Sequence, residues 1–324
     1  MVEREKAISL LPRCRVEEIE ADQEQCAVKA VRYSGADGVV STIPCDLVVD
    51  ASGRGALTLA LLDRLGLGKP EETEIGIDMA YCSAIFEVPP DAPTGWKGIA
   101  HLPLPSESSR GAFLFPIENG RWIVGLGERH GEPLPTSLDG FTAFLGGLRT
   151  KRIYDAVKNA KQIGEFARFG VPSSVRRRFE TLSRFPRGLI PLGDAICRFN
   201  PVYGQGMTVA AQEARLLREL LAQRQALADP LAGLAEAFFQ GVQPLLATPW
   251  SVAENDFAYP QTRGQRPADI DGRLRFGAAL LRLAAEDASV HKTMMEVNML
   301  LKPMSALREP QIAGRVVVLM NAPS

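Results

Sequence analysis

Residues 188–223 hold the pattern that constrains this chain most. A short apolar run, Gly188-Leu-Ile-Pro-Leu-Gly193, reads as a buried strand and ends in Asp194. Asn200-Pro201 and Gly204-Gln205-Gly206 follow, and a helical pattern runs from about Met207 to Gln223. An acid at a strand end can accept hydrogen bonds from a polyol hydroxyl. Gly204 and Gly206 let backbone come close to a flat ligand. The helix that starts there points the positive end of its dipole at the same place. A plain strand–helix corner does not need Asp, Asn-Pro and two glycines together. The pattern therefore points to a cofactor that carries a polyol and an electron-rich ring.

A second glycine turn lies upstream, in Asp46-Leu-Val-Val-Asp50-Ala-Ser-Gly53-Arg54-Gly55-Ala56. Its apolar run suits a strand buried on both faces. Leu57, Leu61 and Leu65 continue as a helix from Ala56, with Gly66 as its stop. It is not a dinucleotide fingerprint, because G-x-G-x-x-G needs glycine where Thr58 stands, and Glu71, Glu72 and Glu74 fall in a connection. Gly125-x-Gly127 sits inside a hairpin, where close strand packing explains it.

Around these turns the chain alternates between sheet and helix. Cys14–Glu20, Cys26–Tyr33 and Val39–Ile43 read as an antiparallel meander, turning at Gly35-Ala36-Asp37-Gly38. Residues 75–130 form a different sheet, with a long strand over Ile75–Val88 and a hairpin of Gly111–Ile117 with Arg121–Gly127 around Asn119-Gly120. Pro89–Pro105 is a connection, and helical patterns cover Phe141–Leu148 and Ile153–Ala160. Arg168–Arg184 holds strand-like and turn-like pieces. Its run Arg176, Arg177, Arg178 reads as a solvated or ion-paired face, with contact to an anionic cofactor as the alternative. From Asp229 the pattern is mostly helical and is expected to break at Pro244, Pro249, Pro260 and Pro267.

Composition narrows the function. Lys plus Arg total 37 against 38 Asp plus Glu, so there is no basic excess and nucleic-acid binding gains no support. Hydrophobic residues are 46% and charged residues 23%, a globular and not a disordered profile. At 324 residues and ~150 per domain, about two domains are expected. No run of ~18 apolar residues suggests a membrane span, and the charged start argues against a secretory leader. The five scattered cysteines and three separated histidines fit buried thiols in a reducing cytoplasm, with no metal site. No G-x-S-x-G hydrolase elbow occurs.

Gly193-Asp194-Ala195, Asn200-Pro201 and Gly204-Gln205-Gly206-Met207 resemble the second flavin motif of FAD-dependent group A monooxygenases. This family includes para-hydroxybenzoate hydroxylase-like, polyprenyl-methoxyphenol hydroxylase-like and epoxidase-like enzymes. The turn through Ser52-Gly53-Arg54-Gly55 resembles its middle motif, and the Asn119-Gly120 hairpin with Trp122 its substrate-domain sheet. The resemblance covers about residues 10–250. It implies an α/β (α+β) chain with FAD as cofactor. A Rossmann-like FAD domain would comprise 1–74 and 165–230, with an inserted antiparallel substrate domain over 75–164 and a helical region over 231–324. Asp194 would hold the ribityl chain, and Pro201 would lie beside the isoalloxazine. Gly204, Gly206 and Met207 would offer backbone contacts to the ring's pyrimidine edge, with Gln205, Gly53 and Arg54 as further cofactor contacts. No catalytic side chain is assigned, because a flavin hydroperoxide carries the oxygen. Ser52 stands where many members have an acid, so no acid role transfers to it. The family's opening strand–G-x-G-x-x-G–helix unit has no counterpart here, so the FAD domain is expected to be N-terminally truncated and FAD binding weak. A late start, a fragment and a separate completing polypeptide are the alternatives.

The resemblance implies hydroxylation or epoxidation of a small apolar substrate by molecular oxygen, with NAD(P)H or a flavin reductase partner supplying electrons. It places the pocket between the 75–130 sheet and the flavin edge. Tyr81, Phe113, Phe115, Trp122, Phe199 and Tyr203 are its candidate lining, although core packing is the plainer reading for all but Tyr203. Two other readings stay open: reduction of a prenyl double bond, as in geranylgeranyl reductase-like proteins, and an inactive remnant or apolar binding module. A halogenase is disfavoured by the absence of W-x-W-x-I-P. Asp256-Phe-Ala-Tyr259-Pro260, Gly264 and Arg266-Pro267 resemble a family tail segment without a defined role.

Overall fold

Alternating polar and apolar residues require a sheet with one covered face, and residues 15–44 form one. In the computed structural model, which describes residues 5–92, 95–105, 107–131 and 133–321, strands β1 (Arg15–Asp22), β2 (Ala27–Ser34) and β3 (Val40–Pro44) make an antiparallel meander. Strand β4 (Val48–Asp50) and helix α1 (Ala56–Arg64) follow, then β5 (Glu71–Glu87), β6 (Ile99–His101), β7 (Gly111–Ile117) and β8 (Arg121–Glu128). Helices α2 (Leu138–Gly147) and α3 (Arg152–Val157) lead to β9 (Gln162–Arg178), β10 (Leu189–Pro191), β11 (Cys197–Arg198) and α4 (Gly206–Arg224). The chain closes with α5 (Leu234–Ala253), β12 (Arg263–Gly264), α6 (Ile270–Glu286), α7 (Ala288–Asn298) and α8 (Pro310–Asn321).

The chain divides into two compact units, one of residues 1–73, 175–252 and 278–324, the other of residues 74–174 and 253–277. In the first unit β4 and β10 pair in parallel, Val48 with Leu189, Val49 with Ile190 and Asp50 with Pro191. Ile19, Val28, Leu61 and Leu189 form a core cluster that ties α1 to the meander and to β10. Burial of four such side chains contributes roughly 1.5–3 kcal/mol each before entropy is counted. Val49 corrects the expectation of a strand buried on both faces, since it is 41% exposed.

In the second unit β9, β5, β8, β7 and β6 lie side by side in that order, with β12 added to β5. The hairpin turn has φ of +63° at Asn119 and +62° at Gly120, the left-handed backbone that Asn-Gly favours. Cys82, Ala84, Phe86, Leu114, Trp122, Val124 and Leu126 pack with Phe141 and Leu145 of α2 and Ile153 of α3.

The strand-like and turn-like pieces expected over 168–184 are the end of one 17-residue strand and a single turn over Phe179–Thr181. Two expectations need correction. The proline-rich connection contains β6. Helix α5 runs through Pro244 and Pro249, because its apolar stripe of Phe238, Phe239, Val242, Leu246 and Trp250 is buried, which outweighs the lost N–H groups. Among the described residues no helix is long and apolar enough to cross a membrane.

Candidate functional site

The parallel pairing of β4 with β10 brings the two glycine turns side by side, because both leave the same end of a two-stranded sheet. Leu192 N–H donates to the Asp50 carbonyl at 3.0 Å, extending the pairing into the turns. Gly55, with φ +65°, opens α1 against the backbone of Ala195, and a Cβ there would stand 3.2 Å from the Ala195 carbonyl oxygen. The two motifs, 140 residues apart in sequence, are thus packed backbone to backbone.

Asp50 anchors the first turn and is 4% exposed. Its Oδ1 accepts from Ser52 N (3.1 Å) and Oγ (2.6 Å), and its Oδ2 from Thr58 N (3.1 Å) and Oγ1 (2.6 Å). Burial by itself raises a carboxyl pKa, but these four donors outweigh it and hold Asp50 below the ordinary range. Gly53, with φ +90°, and the exposed Arg54 stand at the open side of this turn. An added Cβ at Gly53 would meet nothing within 4 Å.

The second turn is anchored by a different carboxyl. Gly193, with φ +66°, donates its N–H to Oε2 of Glu213 at 2.6 Å. Glu213 comes from the middle of α4 and is fully buried. Asp194, next along the turn, is exposed; the protein crowded about its carboxyl raises its pKa, opposed by Arg198. A Cβ on Gly206 would lie 3.9 Å from Asp194 Oδ1, so the acid stands beside the first residue of α4. Asn200 is buried and its side chain accepts from Val202 N (3.2 Å), capping a single turn over Pro201–Tyr203. Gly204, with φ +68°, ends that turn in open space. Gln205 is buried and donates from Nε2 to the Asn298 carbonyl at the end of α7 (2.9 Å). Helix α4 has no side-chain cap and no acid in its first turn. Its first amide groups are left for another acceptor, and Met207 beside them is 87% exposed.

The structure therefore brings Gly53, Arg54, Asp194, Pro201, Gly204, Gln205, Gly206 and Met207 onto two adjacent turns. The candidate pocket residues do not all share one place. In the antiparallel register Phe113 pairs with Gly125 and Tyr81 with Gly127, so Tyr81, Phe113 and Phe115 share one sheet face. The Phe113 and Phe115 rings stack at 5.3 Å. Gly125 makes room for Phe113, since a Cβ there would fall 2.2 Å from its ring. Trp122 lies on the opposite face, buried against Trp96 at 5.5 Å between ring centroids, so it belongs to the core and not with those three. Phe199 is buried and Tyr203 half-buried in the second turn itself.

Sequence reasoning missed both anchors. It also assigned no role to the 256–264 segment, where Asp256 and Arg129 form a buried ion pair at 2.8 Å and the Arg129 guanidinium lies 4.5 Å over the Tyr259 ring. Arg177 is engaged by Glu72 and the Ala195 carbonyl, and Arg176 by Gln243, so the arginine run is an ion-paired and hydrogen-bonded face. All five cysteines are free thiols, and no cluster of metal-ligating side chains occurs among the described residues.

These residues fit FAD. The donor set is uncapped helix amides, the glycines leave the backbone open, and the acid stands where a polyol chain can donate to it. A family model described as "FAD binding domain" matches residues 2–228. "Protein Rv3254" of Mycobacterium tuberculosis is 36% identical over 187 residues, which cover 56% of this chain and 38% of that protein. The flavin-dependent brominase Bmp2 matches with a TM-score of 0.57 at 18% identity, over 84% of this chain and 63% of Bmp2. OxyS anhydrotetracycline hydroxylase from Streptomyces rimosus matches with a TM-score of 0.54 at 18% identity, over 89% of this chain and 52% of that one. The chain thus spans less than two thirds of the length of each of these proteins. At such identities the solved structures establish the fold and not the reaction.

Proposed function

The chain belongs to the FAD binding domain family, with FAD as cofactor, and on that premise we propose that it serves a flavin-dependent monooxygenase acting on a small apolar organic substrate. The observation that carries this reading is the packing of Gly55 against Ala195, which joins the two glycine turns backbone to backbone. Asp194 would accept from the ribityl hydroxyls, and Pro201 would lie beside the isoalloxazine. The backbone of Gly204, Gly206 and Met207 would contact its pyrimidine edge and stabilise negative charge there, as fixed dipoles do without reorganising. Gly53 and Arg54 complete the cofactor contacts from the first turn, and Gln205 holds the second turn to α7. FAD supplies the redox chemistry and the activation of molecular oxygen. NAD(P)H, directly or through a flavin reductase, supplies the electrons.

The aromatic face of Tyr81, Phe113 and Phe115 carries the apolar substrate in this reading, with residues 75–164 as the substrate domain and 1–74 with 165–230 as the FAD domain. Incubation with reduced FAD, oxygen and a panel of apolar aromatic and alkene substrates tests it. Incorporation of one atom of labelled oxygen into product is expected. Substrate reduction without oxygen consumption would contradict it.

A further inference from the structure

We propose that Glu213 is the positioning residue of the Gly193–Ala195 turn, and that its proton state is linked to how the turn receives FAD. The second half rests on the FAD reading above; the first does not.

Among the described residues Glu213 makes one hydrogen bond, its Oε2 accepting from Gly193 N–H at 2.6 Å. Its Oε1 is buried and has no hydrogen-bond partner among the described residues. A buried carboxylate with a single donor is poorly compensated, whereas the neutral acid keeps the Gly193 bond at a much smaller desolvation cost. Burial accordingly pushes the Glu213 pKa up to about 7; the Gly193 bond opposes this, and the like charge of Asp194 adds to it.

Asp194 is on the turn, Cys197 and Arg198 are on β11, and Arg176 and Arg177 are on β9. Burial keeps the Cys197 thiol neutral. Arg176 and Arg177 are engaged by Gln243 and by Glu72 with the Ala195 carbonyl. Arg198 acts on Asp194. Asp194 is the charge that acts on Glu213.

Asp194 acts on Glu213 as a charge before FAD binds, and a ribityl hydroxyl donating to it leaves that charge in place. FAD seated over the turn displaces the water that screens Asp194 from Glu213, which strengthens the repulsion. The stronger repulsion favours protonated Glu213, so FAD binding takes up a proton from solvent near neutrality. Affinity therefore falls as pH rises above about 7, by at most tenfold per pH unit for one proton.

The test is a pH titration of the Gly193 amide by nuclear magnetic resonance, without FAD, in the wild-type chain and in Glu213→Gln. Glutamine keeps an acceptor for Gly193 and cannot ionise. The wild-type amide should shift with a midpoint near 7, and the variant amide should not. A flat wild-type amide, or one that still shifts in the variant, would overturn the proposal. If the variant does not fold, the wild-type Glu213 carboxyl carbon replaces it: a midpoint shared with the Gly193 amide supports the proposal, and a different midpoint overturns it. FAD titration by fluorescence from pH 6 to 8 is the second arm. Weakening with pH in the wild type but not in the variant supports the linkage, and pH-independent wild-type binding overturns it. Absence of FAD binding at every pH counts against the FAD reading and leaves the amide titration to decide the role of Glu213.

Discussion

Asp50 and Glu213 are both buried carboxyls at the base of a glycine turn, yet they stand in opposite electrostatic situations. Asp50 receives four hydrogen bonds and is held below the usual carboxylate range. Glu213 receives one and is pushed up to about 7. Burial is common to the two; the number of donors differs. The first turn is thus a fixed anchor, locked by local bonds within one strand–helix corner. The second is held by a residue twenty positions away whose charge is in balance near neutral pH.

The largest effect should come from breaking the fixed anchor. Asp50→Ala strips the acceptor from Ser52 and Thr58, leaving the two donors of buried Thr58 unsatisfied at about 1–3 kcal/mol each. A loss of about 3 kcal/mol or more is expected, read by chemical denaturation at pH 7. The two anchors also carry opposite pH signs. The Asp50 contribution is present above its ordinary pKa of 3.8 and lost as pH falls through its lower folded value. The Glu213 contribution is greatest at low pH and is lost as pH rises from 4.5 towards about 7. Glu213→Gln should remove that decline, leaving the variant more stable than wild type at pH 8 by on the order of 2 kcal/mol. Equal pH–stability curves for the two proteins would erase the contrast.

Gly55→Ala tests the seam between the turns. It places a side chain at φ +65° and 3.2 Å from the Ala195 oxygen, which should cost about 1–2 kcal/mol and separate the motifs. A melting temperature equal to wild type would show that the packing is loose. Met207→Ala should be the mildest, within about 0.5 kcal/mol of wild type in the FAD-free protein, since an exposed side chain makes few contacts to lose. A larger loss by denaturation would place Met207 in the core instead.

The glycine turns were legible in the sequence; the two carboxyls that anchor them were hidden, for physical reasons. Local backbone demands leave local signals: Asn119-Gly120 marked the hairpin, and Gly53, Gly204 and Gly206 marked the turns. Glu213 left none, because one acid in a charged helical stretch, Gln212-Glu213-Ala214-Arg215, reads as a solvated face. Its burial depends on what packs over it. Asp256 lies 127 residues from Arg129, so their pairing had no spacing to betray it. Trp122 was recoverable. Once Ile117 pairs with Arg121, the two-residue period of a strand puts Phe113 and Phe115 on one face and Trp122 on the other. Pro244 and Pro249 misled, because a proline's local cost was set against a tertiary gain that sequence does not reveal.

The central claim is that the two turns form one FAD site with Asp194 as its polyol acceptor. Calorimetric titration of the wild-type chain and of Asp194→Ala with FAD tests it most directly. The account predicts saturable binding of one FAD per wild-type chain and at least about tenfold weaker binding by the variant, the loss of a hydrogen bond to a charged group. Equal affinity for the two, or no saturable binding by the wild type, would contradict it.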